Sequence, residues 1–539
     1  MKKFLLKNGF IADGSGDKGY CGSVLIDGDR IAEVSAREIS CDDAEVIDCT
    51  GLCIAPGFID SHSHHDRFIH AENELPLLEP FIRQGITTYV AGNCGESTAG
   101  LAQQSGDYQN ARIAETRFYT AGKKDIFYTY SDFFEYLRKK GLYQNLASMA
   151  AEGTALASIT GLIPSRQVTW EDHQKSIDIL NEGMDSGCKG ISFGLGYRPG
   201  SFVDDDLVRK ISQCAIDRNK LITIHERVMD AHATHLYGDD YSIPHNVRWQ
   251  TEFIDRFRDS GARLHMSHLL FVGQECWRST DAMMEMMDDR IKNGGMDLWF
   301  DFYSFTQGAT SVQILMPPNF YKNLPEALND PKWLPILEEE RKARLAKMGW
   351  DMHDIQVCSA GSQELSRWNG MFFDEIIASE GITAMEILME MYKVSNGTAQ
   401  VYLYNEQPEE NVARLMTHER CLYMTDAWVM PGCHQNQCAY GTMPKFLRIA
   451  RETGNQSMEQ TIKRMTGNAA LRFDLERRGF IRKGYFADIT IFNPETIAET
   501  CTPKKPASFP IGIEYVMVNG HMLLRHGELD ESVKAGRIV

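Results

Sequence analysis

Nowhere in the chain do apolar residues continue for the roughly 18 positions that a membrane-crossing helix needs. Basic residues are in deficit, 56 against 74 acidic ones, which leaves a net charge of −18. That balance argues against a nucleic-acid or anionic-membrane partner, and the acidity reads as a solvated surface. A disulfide framework is missing as well: thirteen cysteines, an odd count, are scattered without regular spacing. Reduced thiols in a cytoplasmic protein are the expectation. The opening Met1-Lys2-Lys3-Phe4-Leu5-Leu6 imitates a leader, yet Lys7-Asn8-Gly9 cuts its apolar run short, so a first β-strand is expected there. Internal repeats and low-complexity tracts are also lacking. What is present is an ordinary globular composition, 43% hydrophobic and 24% charged over 539 residues. Such a length holds one large domain and a smaller one.

The first 50 residues alternate short strands with turns at Asn8-Gly9 and Asp27-Gly28, and the last 60 do likewise, with Tyr515–Val518 leading into Asn519-Gly520. Neither set closes a core alone. Residues 1–54 and 478–539 are therefore expected to form one composite β-sandwich domain. Between them, over 55–477, apolar strands alternate with helices such as Trp170–Asp185. This pattern predicts an α/β fold with a (β/α)8 TIM-like barrel, whose working groups sit at the C-terminal strand ends. Residues of about 310–400 are too many for one strand-to-helix connection and read as an inserted helical segment.

The strand ends carry the chemistry. Ile54–Asp60 runs into His62 and His64, whose i, i+2 spacing puts two imidazoles on one face of an extended chain. Cys94 closes the next strand within Gly92-Asn93-Cys94-Gly95, followed down the chain by His225, His268 and Asp426. In a parallel barrel these ends converge. Nitrogen, thiolate and carboxylate together suit Zn²⁺ better than Mg²⁺ or Ca²⁺. His265, inside its strand, is assigned to packing; His232, His235 and His245 are expected in solvent; Lys189, at the wrong end of its strand, is structural.

Pro56-Gly57-Phe58-Ile59-Asp60 with His62 and His64, Gly92-Asn93-Cys94-Gly95, Gly194–Gly200, Ser267-His268-Leu269, Asp301-Phe302-Tyr303, Tyr440-Gly441-Thr442 and the tail Arg478–Asp488 resemble, nearly end to end, the amidohydrolase superfamily and its D-aminoacylase (N-acyl-D-amino-acid deacylase) family. The resemblance implies a hydrolase of a linear, non-peptide amide. It implies one tight zinc on Cys94, His225 and His268 and a weaker second site on His62, His64, Cys94 and Asp426. Asp426 would be the catalytic acid and base, and Tyr197 and Tyr303 would bind a small-molecule amide substrate; Arg198, where the family tends to have proline, is either a further substrate contact from another loop or a solvated loop arginine, and a homo-oligomer is compatible with the resemblance. Two positions depart. The family's lysine after the sixth-strand histidine is Leu270 here, and its His-x-Arg after the catalytic aspartate is replaced by His434-Gln435-Asn436-Gln437. Both lost groups bind an α-carboxylate, so the alternative is a cyclic amide or N-acyl amine without one.

Overall fold

Eight parallel strands carry the main core. They are β1 (Phe58–Asp60), β2 (Ile86–Ala91), β3 (Asn145–Ser148, continued by Ala150–Ala151), β4 (Gly190–Gly194), β5 (Leu221–His225), β6 (Arg263–Met266), β7 (Asp297–Phe302) and β8 (Cys421–Tyr423). This computed structural model describes residues 2–102, 126–162, 164, 166–196, 198–238 and 240–539. Each strand pairs in parallel with the next. The edges β1 and β8 are joined by backbone hydrogen bonds from Ser61 to Tyr423 (3.4 Å) and from Asp426 to His62 (3.0 Å). The result is a TIM-like barrel.

Runs such as Leu221-Ile222-Thr223-Ile224 are buried throughout because helices cover the barrel's outside. One of these helices, Trp170–Ser186, starts at a reciprocal cap. Thr169 Oγ1 accepts from the Asp172 amide, and the Asp172 carboxylate accepts from the Thr169 amide at 2.8 Å. Inside the barrel, Ile59, Val90, Ala147, Leu221 and Leu422 pack with Ala469, Phe473 and Leu475. These close the end at which the strands start, so chemistry is confined to the other end.

β3 is absent from the sequence reading. Its residues, Asn145-Leu146-Ala147-Ser148-Met149-Ala150-Ala151, include three alanines, Leu146 and Met149, which favour helix, and no β-branched or aromatic side chain that would signal a strand. The barrel wall overrides that preference, with Ala150 and Ala151 in register with Ile191 and Ser192.

Strands from both chain ends form a separate nine-stranded sheet, the small β-sandwich. Cys53–Pro56 is its junction, parallel to Lys3–Ile11 on one side and antiparallel to Ile489–Phe492 on the other. Phe4, Leu6, Val24, Ile26, Ile489, Ile491 and Met517 share its core. The insertion after β7 has its own apolar cluster, including Val312, Leu337, Trp368, Phe373 and Leu388. It is mostly helical, and it also carries a three-stranded antiparallel sheet of Gly308–Ser311, Gln400–Leu403 and Ile355–Ser359.

Candidate metal centre

β1 ends at Asp60, and His62 and His64 lie in the extended turn just beyond it. The buried Asp60 carboxylate fixes that turn against the exit of β8. It accepts from the Thr425 amide (2.9 Å), the Thr425 hydroxyl (2.6 Å) and the His62 amide (3.3 Å). Burial pushes Asp60 up to about 7. After β2, Gly95 holds a φ of 68° with its α-carbon against the Gly194 amide; an added Cβ would lie 2.6 Å from that nitrogen. This close approach turns Cys94 inward.

Three site residues, Cys94 (φ 55°), His268 (φ 34°) and Asp426 (φ 46°), have left-handed backbones. Such geometry in non-glycine residues costs about 1–3 kcal/mol each and persists where the surroundings enforce it.

The side chains meet in two overlapping groups that share one sulfur, His62–His64–Cys94–Asp426 and Cys94–His225–His268. Cys94 Sγ lies 3.2 Å from His62 Nε2 and 3.4 Å from His268 Nε2. Asp426 Oδ1 lies 3.1 Å from His64 Nε2 and 3.4 Å from His62 Nε2. His225 Nδ1 and His268 Nε2 approach to 2.6 Å. Donors about 2.0–2.3 Å from one tetrahedral zinc would stand about 3.3–3.6 Å apart, close to most of these spacings.

The electrostatics fit the same group. Burial pushes the Cys94 thiol up to about 12, so a thiolate there requires a cation beside it. Burial lowers His225 and His268, as neutral ligands require. Burial, with Arg67 nearby, lowers His64 to about 4. Burial alone would lower His62 too, but Cys94 and Asp426 outweigh it and raise it, so a pocket of this polarity draws positive charge to itself. Burial likewise opposes ionisation of Asp426, yet His62 and the other imidazoles hold its carboxyl well below the usual range.

The curated relatives of this chain include the D-aminoacylase of Alcaligenes xylosoxydans xylosoxydans, 27% identical over 96% of this chain and 93% of that one. The N-acyl-D-aspartate deacylase of the same organism is 26% identical over 99% and 94%. A family model described as "Amidohydrolase family" matches residues 45–126, which include both histidines of the first turn and Cys94. Over those residues the chain resembles the amidohydrolases. Its resemblance to the D-aminoacylases extends over nearly its whole length. The fold is shared with the N-acyl-D-glutamate deacylase of Bordetella bronchiseptica, solved with zinc and a phosphonate inhibitor (TM-score 0.79, 24% identity, 100% of this chain and 99% of that one). A solved D-aminoacylase matches with a TM-score of 0.76 at 23% identity, covering 99% of both chains.

The expected substrate contacts fare unevenly. Tyr197 lies outside the described residues. Arg198 is exposed, its guanidinium 5.9 Å from the Phe202 ring. Tyr303 is buried, and its hydroxyl donates to Glu406 Oε2 at 3.0 Å. Leu270 is buried in the apolar core. Gln435 is spent on its own loop, accepting from the Met430 amide and donating to the Met430 and Cys433 carbonyls. Gln437 donates to the Cys501 carbonyl at 3.2 Å.

Three histidines outside the ligand set need comment. His245 is buried, not solvated: its Nε2 lies 2.8 Å from the Asp240 carbonyl and its ring stacks on Tyr241. His232 pairs with the Glu275 carboxylate. The side chain of His235 lies outside the described residues. The sequence reading missed Trp428, whose indole meets the His64 ring edge-on at 5.5 Å. It also missed Arg67, which stacks on that indole at 4.0 Å and donates to Glu96 at 2.6 Å. No motif flags either residue, since both gain their place from the fold.

Proposed function

We propose that this protein is a zinc-dependent amidohydrolase acting on a linear, non-peptide amide, with N-acyl-D-amino acids as its leading substrate class. Cys94, His225 and His268 would hold one zinc tightly, and His62, His64, the shared Cys94 and Asp426 would hold a second more weakly. Bound zinc would lower the pKa of a water and polarise the amide carbonyl. Asp426 takes a proton from the attacking water and returns it to the leaving nitrogen as the C–N bond breaks. Its Oδ1 faces His64 and His62, while Oδ2 is not taken up by those contacts. Cys94 is a ligand and not a nucleophile, since its buried thiol gains a thiolate only with a cation present. The thirteen free thiols support a cytoplasmic setting. The observation that carries the reading is the single sulfur of Cys94 facing both histidine groups.

A second reading keeps the chemistry and changes the substrate to a cyclic amide or N-acyl amine without an α-carboxylate. Leu270 buried in the core, with Gln435 and Gln437 both engaged on backbone, favours it. One experiment addresses both: zinc-loaded wild type and Asp426→Asn are assayed on N-acyl-D-amino acids, N-acyl-L-amino acids and neutral amides. The proposal expects turnover by wild type and a loss of more than about 10²-fold in D426N with zinc retained. Preference for neutral amides selects the second reading, and undiminished D426N activity removes Asp426 from the mechanism.

A further inference from the structure

We infer that Asp301 is a positioning residue that couples the two proposed cation sites, and that His265 acts through it. The inference rests on the metal-dependent reading above. Asp301 stands near the end of β7, fully enclosed. Its Oδ1 accepts from the His268 amide at 2.6 Å, and its own carbonyl accepts from the Leu269 amide at 2.8 Å. These two bonds grip the turn in which His268 holds its left-handed φ of 34°.

The other oxygen looks the opposite way. Oδ2 lies 2.9 Å from His265 Nε2, 3.5 Å from Ser61 Oγ and 3.7 Å from His62 Nδ1. The His62 ring thus presents Nε2 to Cys94 and Asp426 and backs its Nδ1 onto Asp301. A carboxylate behind a ligating imidazole fixes the ring's orientation and raises its basicity, and removing one typically costs 10–100-fold in metal affinity. Asp301 stands behind the His62 ring at ion-pair distance, 3.7 Å from its Nδ1, in one group, while its other oxygen tethers the backbone of His268, in the other.

Glu226 provides the contrast. Its Oε2 lies 3.9 Å from His268 Nδ1, and its Oε1 accepts from Gln250 Nε2 at 2.7 Å. It therefore backs the Cys94–His225–His268 group alone. His265 touches no ligand; it acts by holding Oδ2 in place.

The test uses the full-length protein, titrated with zinc against a chromophoric chelator, with Co²⁺ absorption spectra reporting each site's coordination. Asp301→Asn should weaken both zinc affinities by about 10–100-fold and alter both cobalt spectra, whereas Glu226→Gln should weaken only the tighter one. His265→Ala should reproduce part of the D301N loss, and His265→Gln, which keeps a donor, should recover most of it. D301N with both affinities unchanged, or H265A indistinguishable from wild type, overturns the inference. If D301N does not fold by circular dichroism, the H265A and H265Q pair decides. A wild type that binds no zinc would defeat the metal-dependent reading itself; a wild type that binds it beside unaltered variants would defeat only the coupling.

Discussion

At the residue scale, the barrel interior tolerates groups that are costly unless a partner or a proton compensates. Glu152, directly after β3, is fully enclosed, and neither carboxylate oxygen has a hydrogen-bond partner among the described residues. Burial pushes it up to about 7. A carboxyl whose folded pKa is raised contributes stability that is complete below its unfolded value of about 4.3 and is lost as pH rises through 7. Glu152→Gln removes that loss. Its melting temperature should match wild type near pH 4.5 and exceed it increasingly up to pH 8, by the equivalent of about 3 kcal/mol. A gap independent of pH, read by thermal denaturation across that range, would contradict this.

At the element scale, ligand placement depends on how strands end. Cys94 is presented by a turn that only glycine completes at position 95, where an added Cβ would meet backbone atoms of Gly194, Phe193 and Gly153. Gly381 shares a positive φ, 70°, but a Cβ there meets nothing within 4 Å. Gly381→Ala should cost about 1 kcal/mol and leave zinc content unchanged, because only backbone conformation is strained. Gly95→Ala should cost more and lower the zinc content. Equal zinc content in the two variants, measured by elemental analysis, would show that this close approach does not position Cys94.

Elements also explain what the sequence made legible. His62, His64 and Cys94 stood out because ligand spacing and small neighbours lie within a few residues of each other. β3 was hidden because its alanines and serine carry no strand signal of their own. The sequence places His265 in packing because three residues separate opposite faces on a continuous strand. The strand stops at Met266, however, and the left-handed turn at His268 brings the His265 imidazole and the His268 backbone amide onto the two oxygens of Asp301. Only the fold shows that.

At the scale of the whole molecule, side chains spread over more than 360 positions, from His62 to Asp426, reach one small space because a closed barrel gathers its strand ends. A nine-stranded sheet joins the chain's two termini, and a separate insertion core packs after β7. The net charge of −18 sits on this frame. Under the proposed function, Cys94, His225 and His268 together hold one cation. Anomalous diffraction at the zinc edge from crystals of the zinc-loaded protein tests it most directly. A peak is expected about 2.3 Å from Cys94 Sγ and about 2.0–2.1 Å from a ring nitrogen of both His225 and His268. A zinc bound elsewhere, with the Cys94 sulfur uncoordinated, would contradict it.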